Sequence, residues 1–343
     1  MAPLQISTND HAFVLQAARE EQRVDGRKLL DHRRVRLHFH PQAGMVEVQL
    51  GSTRILGVVS AITTAPHIDR PSEGLFSLDL VACPLADASF EPYRVSDQVR
   101  DARAVLQRAM VRSKVVDTEA LCIKGGLVVW HVRLDLKILD HGGNLADCAC
   151  IAGVLALHHF RNKEVTVVGE QVTIHEETER VPRPLTLHHM PLSVTYGLLA
   201  LPDAASEAQK VVLIADPSRL EEAVLSGRIV ITAGRREHSV VYGIQKYGGV
   251  AVQASVVTRC CVMAVERAAE LDQVLQQALQ HNEEQRRLAL LRGREQTTLQ
   301  TADEMVAKKT DEAGGNTQAV LDADSDDGDE EEKEEEEEED ARL

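Results

Sequence analysis

LDLKILDHGGNLADCACIAGVLALHHF, residues 134–160, changes its periodicity at a pair of glycines. Up to Asp140 apolar and polar residues alternate, as in a strand with one buried face. After Gly142 and Gly143 comes a run of small and apolar residues too long for a strand, which reads as a buried helix. Strand, glycine turn and helix start bring unpaired N–H groups and the positive helix end together, a common way to cradle phosphate. Yet the turn holds no Lys, Arg, Ser or Thr, and Asp147 stands in the first turn of the expected helix. The stretch has the backbone of an anion site without its cations.

Upstream, Val128, Trp130, Val132, Leu134, Leu136 and Ile138 share one face of a strand over 127–139. Further strands are expected at Arg34–Phe39, Met45–Leu50, Thr53–Ala61 and Leu75–Ala82. Asn9 or Asp10 can cap a helix running to about Gln22, and 95–112 reads as a second helix carrying Arg100, Arg103, Arg108 and Arg112. Downstream come a hairpin over 165–175, a proline-marked link at 181–184, and strands at Leu192–Leu199, Lys210–Ile214, Arg228–Thr232 and Ser239–Gln245. A small helix is expected at Ser218–Leu225 and a long one from Gln253 to about Leu291. Strands mixed with helices argue for α+β or α/β layering.

Net charge is −16, but residues 321–343 hold 15 acids against Lys333 and Arg342 and account for −13 of it. The remaining −3 sits on residues 1–320, so the total says little about what the folded part binds. A like-charge block of this kind is expected to be disordered, either as a solubilising tail or as a tether for basic partners. There is no signal peptide and no apolar run of about 18 residues, and the six cysteines follow no framework of spacings. A soluble protein of a reducing compartment is expected. Cys148 and Cys150 fall about 200° apart on a helix and are read as buried thiols. Side chains of the adjacent pairs His158–His159 and His188–His189 diverge, so no metal or cofactor is called for.

Several short motifs resemble the RNase PH family in one order over about residues 10–265. They are Arg23-Val24-Asp25-Gly26-Arg27, Gly51-Ser52-Thr53-Arg54-Ile55-Leu56-Gly57, Arg70-Pro71-Ser72-Glu73-Gly74, Phe90-Glu91-Pro92, Asp117-Thr118-Glu119, and Arg133-Leu134-Asp135 through Gly142-Gly143. Leu139-Asp140-His141-Gly142-Gly143-Asn144 with Pro184-Leu185-Thr186-Leu187-His188-His189-Met190-Pro191 is most similar to a ring subunit of the eukaryotic RNA exosome. The resemblance implies an α+β fold of mixed sheets flanked by helices with a core like that of ribosomal protein S5. It implies a first half over 1–190, a second half with a C-terminal helix over 191–291, and a disordered extension with the acidic tail over 292–343. It also implies a six-membered ring of related subunits around a channel for single-stranded RNA, with RNA-binding cap subunits. No membrane partner is implied, and residence is expected in nucleus and nucleolus, also cytoplasm.

In active members the turn reads Gly-Gly-Ser/Thr-Arg and binds the attacking phosphate; here Asn144 and Leu145 hold the last two places. Leu145 offers no charge to desolvate an anion beside RNA, and Asp147 can take up the free helix N–H groups itself. At 4 Å and an effective dielectric of 20, a carboxylate repels each phosphate charge by roughly 4 kcal/mol. Ala223 and the stretch Gly227–Ile229 match the places of two catalytic aspartates. Glu221 and Glu222 remain and are read as a solvated face. The expectation is therefore a non-catalytic ring subunit. The alternative is an active phosphate-dependent 3′-5′ exoribonuclease, given an Arg from another subunit at the turn and a carboxylate from Glu221 or Glu222. The resemblance places Arg94, Arg103 and Arg108, with Arg70 from the preceding loop, near the channel, where they would hold phosphates without reading bases. With three per cent aromatic residues, base stacking is not expected to be a main mode.

Overall fold

A computed structural model of the chain describes residues 6–313 except 92–93, 170, 177–178, 202–209 and 236–238. The acidic tail, and the expectation of disorder there, lies outside the described residues. In chain order the first elements are α1 (Thr8–Arg19), β1 (Val35–Phe39), β2 (Met45–Leu50), β3 (Thr53–Thr64), β4 (Leu75–Ala82) and α2 (Asp97–Leu106). A π-helical turn (Gln107–Arg112), β5 (Cys122–Lys124), β6 (Val128–Asp140) and α3 (Leu145–His159) follow. Then come β7 (Arg161–Asn162), β8 (Val165–Val168), β9 (Gln171–Ile174), β10 (Arg183–Pro184), β11 (Leu192–Leu201) and β12 (Lys210–Ala215). The last are α4 (Arg219–Val224), β13 (Gly227–Arg235), β14 (Ser239–Gly248) and α5 (Ala254–Ala313). The α+β expectation is borne out.

One sheet has the order β1-β2-β3-β6-β4 with β5 on the side of β6, and β4 is its one parallel neighbour to β6. The second has the order β12-β11-β13-β14, antiparallel throughout. Each half expected on either side of residue 190 thus carries its own sheet, and both lie in one compact unit, Met1–Glu284. Along β6, Val132, Leu134, Leu136 and Ile138 are fully buried, while Arg133 and Lys137 between them are exposed. This is the period of two read from the sequence.

The run after the glycines forms α3, with all but Ala146 and His158 of its residues buried. It packs between the first sheet, on β2, β3 and β6, and β11 of the second. Small residues let it lie close: a Cβ on Gly57 of β3 would stand 3.0 Å from the Ala152 carbonyl oxygen. Burying Ile151, Leu155 and Leu157 here contributes about 1.5–3 kcal/mol each. The position of α3 fixes its N-terminus, Asn144, at the junction of the two sheets.

Of the places where the elements differ from expectation, three bear on the argument. Ser7, not Asn9 or Asp10, caps α1, its hydroxyl accepting from the Asn9 N–H at 3.3 Å. The arginine-bearing helix leaves α geometry at Gln107 for a π-helical turn, a change of hydrogen-bond register that composition does not encode. The last helix was expected to end near Leu291 and give way to a disordered stretch, but it runs on to Ala313. Residues 292–313 lose apolar periodicity but keep helix formers such as Ala, Glu, Lys, Leu and Met.

Candidate functional site at the glycine turn

Gly143 (φ +94°) and Asn144 (φ +52°) turn the chain from β6 into α3. A Cβ at Gly143 would meet the backbone nitrogen of Arg219 at 2.4 Å, so only glycine fits against the start of α4. Most polar groups of the turn are engaged by this chain, the buried Asn144 side-chain oxygen excepted. Arg33 donates to the carbonyls of Gly142 (3.1 Å) and Gly143 (3.2 Å), and the Arg219 N–H donates to Gly142 as well (3.0 Å). Thr53 donates to the Gly143 carbonyl at 2.6 Å and accepts from the Gly142 N–H at 3.2 Å.

The backbone N–H of Asn144, at the point where an anion would sit, donates to Oε1 of Glu222 at 2.8 Å. Its side-chain amide donates to Asp147 and to Asp216, both at 2.7 Å. Asp216, 1% exposed, also accepts from Arg33 at 2.7 and 2.9 Å. Burial pushes the Asp216 carboxyl up, but the hydrogen bonds and charge of Arg33 outweigh it and hold the group well below the usual carboxylate range. Burial pushes Glu222 up as well, against the Asn144 N–H and the charges of Arg228 and Arg33.

Two expectations are corrected. Asp147 does not take the free N–H groups of its own helix or face an anion. It accepts from the Thr195 N–H and hydroxyl, each at 2.8 Å, and ties α3 to β11. Burial, with the nearby Asp216 charge, pushes its pKa up to about 7. Glu221 and Glu222 are not a solvated face. Glu221, 2% exposed, forms a buried ion pair with Arg23 and closes a capping box with Ser218. Glu222 supplies the carboxylate that Asp147 was expected to supply. Folding α4 against the turn, which local charge pattern does not reveal, buries Glu221 and half-buries Glu222.

The space left beside the turn measures 20 Å³ and is lined by Gln98, Asn144, Leu145, Thr195, Glu222 and Arg228 among others. Leu145 is 4% exposed and closes its apolar side. Arg228 reaches the slot from β13 but donates to Asp101 at 2.8 Å and lies over the Tyr247 ring at 4.8 Å. His141 stacks on Phe90 and hydrogen-bonds Gln98 at 3.1 Å. Burial, helped by the Arg219 charge, lowers its pKa to about 4, so it adds no positive charge near neutrality. Cys148 and Cys150 are buried thiols with pKa pushed up to about 12 by burial, as the sequence predicts. Among the described residues no group of three His, Cys, Asp or Glu is placed to hold a metal ion.

The arginines singled out by sequence do not form one cluster around the turn. Arg70 pairs with Glu73 (3.1 Å), Arg103 with Asp79 (3.2 Å), and Arg94 and Arg108 are exposed. The sequence reading missed Arg33, Asp216 and Arg228. The first two are 183 positions apart, a separation that no local pattern spans.

The 3′ exoribonuclease family, domain 1 (RNase PH), matches residues 31–163. Exosome complex component rrp45 of Schizosaccharomyces pombe is 40% identical over 281 residues, 80% of this chain and 91% of the yeast one. Exosome complex component RRP45 of Rattus norvegicus is 37% identical over 282 residues, 82% of this chain, and the chain spans 62% of the rat protein's length. Among solved structures, an Archaeoglobus fulgidus exosome with RNA bound to the active site matches with a TM-score of 0.63 and 26% identity. That match covers 77% of this chain and 97% of the archaeal one. Rice Rrp46 matches with a TM-score of 0.53 and 15% identity over 75% of this chain and 100% of its own, a likeness of fold alone.

Proposed function

The chain belongs to the family of exosome complex component RRP45, and from that premise we propose that it is a non-catalytic structural subunit of an RNA exosome core. It assembles with related RNase PH-like subunits into a six-membered ring topped by RNA-binding cap subunits. The ring helps thread single-stranded RNA for 3′-to-5′ processing and decay elsewhere in the assembly. The mechanism is positioning: two unlike interfaces of about 1,000 Å² or more each hold the subunit in place. Cations facing the channel then lower the cost of confining a polyanion.

The observation that carries the inactive reading is the Glu222 carboxylate seated on the Asn144 N–H at 2.8 Å, with 20 Å³ left beside it. A cavity needs about 10–15 Å³ to hold one water, so this slot admits water and not a tetrahedral oxyanion. Ala223 stands where active relatives of the resembled family carry their first aspartate, which removes a proton donor as well. Arg228 is the one feature that favours an active phosphorolytic enzyme, since it lines the slot, but Asp101 neutralises it.

The test is to purify the full chain with the proteins that assemble on it and incubate the complex with oligo(A), phosphate and Mg²⁺. A ring of related subunits that binds RNA without releasing nucleoside diphosphates from this subunit is expected. Phosphate-dependent release that disappears on Arg228→Ala would overturn the inactive reading. The same proposal puts the chain in nucleus and nucleolus and also cytoplasm, which a tagged chain and fractionation check.

A further inference from the structure

Four residues of the motif at 184–191 have no part in the slot at the glycine turn. Leu187, His188, His189 and Met190 form one wall of a cleft of 350 Å³, and α5 forms the facing wall. Along α5 the cleft takes Asp272, Gln276, Leu279 and Glu283, whose spacing puts them on one side of the helix. At about 1.5 Å per residue this wall is about 16 Å long, which matches about five residues of extended chain. A groove of that length suits a peptide segment better than a compact ligand.

The acids of the lining are Asp272 and Glu283, and no Lys or Arg belongs to it among the described residues. Asp272 is buried and accepts from the Gln276 amide at 3.0 Å, a bond that leaves its charge in place. Glu283 meets Arg161 at 2.9 Å from outside the lining, but its side chain is exposed, and a surface pair of this kind is weak and exchanges readily. His158 joins the cleft from the end of α3, and its Nε2 is buried without a hydrogen-bond partner. Burial, with the Arg161 charge, lowers the pKa of His158, so the ring is neutral near pH 7 and that nitrogen can accept. Leu187, Met190 and Leu279 add apolar surface between these polar groups.

We propose that this groove docks an extended segment of a partner protein that carries Arg or Lys, with the cationic heads at Asp272 and Glu283 and their stems on Leu187, Met190 and Leu279. Long cationic side chains lay methylenes on apolar surface and keep the charge at a polar edge, which is the division this lining offers. Such a head also brings N–H donors within the same cleft as the open His158 nitrogen. RNA is disfavoured, because its phosphates would face two carboxylates with no cation in the lining. The inference depends neither on the reading of the glycine turn nor on RNA threading.

The experiment titrates the purified full chain with a fluorescein-labelled peptide of alternating Arg and Ser, about eight residues long, and reads anisotropy. Because residues 321–343 are strongly acidic, a charge change inside the groove is compared with the same change beside it. Gln276→Lys with Gln280→Lys places two cations in the groove and is expected to weaken binding at least about tenfold. Gln273→Lys with Gln277→Lys adds the same charge on α5 outside the lining and should alter binding less than about twofold. All four positions are exposed, so melting temperatures should stay within about 2 °C of wild type and weaker binding does not come from misfolding. Equal effects from the two pairs of changes, or none from either, would assign the peptide to another acidic part of the chain and overturn the groove. Oligo(A) labelled in the same way is the second probe. Affinity for it that responds to the inner pair and not to the outer pair, with peptide binding unmoved, makes the groove a nucleic-acid surface and overturns the proposal as well. No binding of the peptide by wild type below about 1 mM overturns it outright. If the inner double variant does not fold, Glu283→Gln decides, with an expected loss of about threefold.

Discussion

The glycine turn and the π-helical turn treat charge in opposite ways. At 142–145 nearly every donor and acceptor is matched within the chain, the Asn144 side-chain oxygen excepted; Asp216 and Asp147 are buried and Arg33 and Glu222 partly so. At 107–114 Arg108, Arg112 and Lys114 face solvent with no acid against them among the described residues. A helix start surrounded by the chain's own carboxylates binds no outside anion, whereas exposed cations with no partner draw one. What separates them is how fully each is satisfied, and charge content alone does not reveal that.

The largest effect should come from breaking the sealed side. Asp216→Ala leaves Arg33 buried without its partner and should cost about 3–5 kcal/mol in urea unfolding of the assembled protein. A cost near zero would mean that the network at 142–145 is not sealed.

Next is pH. Asp147 has a folded pKa of about 7 against an ordinary value of 3.8, so the folded state holds the extra proton between them. Stability from this group is fully present below about pH 4 and falls as pH rises toward 8, by up to about 4 kcal/mol. Asp216 has the opposite sign, since its lowered pKa gives stability that is lost as pH falls below its ordinary range. Melting temperatures from pH 5 to pH 8 should drop in wild type and flatten in Asp147→Asn. An unchanged slope would show that the carboxyl is not buried in solution.

Glu222→Ala converts the sealed turn toward the open kind. It strands the Asn144 N–H and should cost about 1–3 kcal/mol. Added phosphate should then raise the melting temperature of this variant and leave wild type unmoved. Equal response in both would make the carboxylate irrelevant to anion exclusion. On the open side Lys114 holds φ +56°, which glycine adopts freely, so Lys114→Gly should change stability by less than about 1 kcal/mol in either direction, which calorimetry can bound.

Much of the frame was legible along the chain. Alternation set β2 at Met45–Leu50 and β4 at Leu75–Ala82, and the switch after Gly143 announced α3. The turn at Gly142 and Gly143 was legible because a strand-to-helix glycine turn is a local pattern, while Asn144 and Leu145 were singled out by the family resemblance. What closes that turn was not legible. Glu222 is 78 positions from Asn144, and adjacent acids on a short helix look the same whether solvated or buried. Asp147 was placed correctly on the helix and misread in role, because its partner Thr195 comes from the second sheet. The π turn escaped for another reason: Gln107–Arg112 has the composition of an ordinary helix, and its departure lies in which carbonyl each N–H chooses.

The wedge of α3 between two sheets has a consequence for how this protein can change. Asn144 begins that helix, and its amide joins carboxylates from the helix and from the β12–α4 junction. Any substitution that would let a mineral anion back in also loosens the joint between the halves. The geometry works as a ratchet, in which regaining chemistry at the turn requires several coordinated replacements before any single one is tolerated.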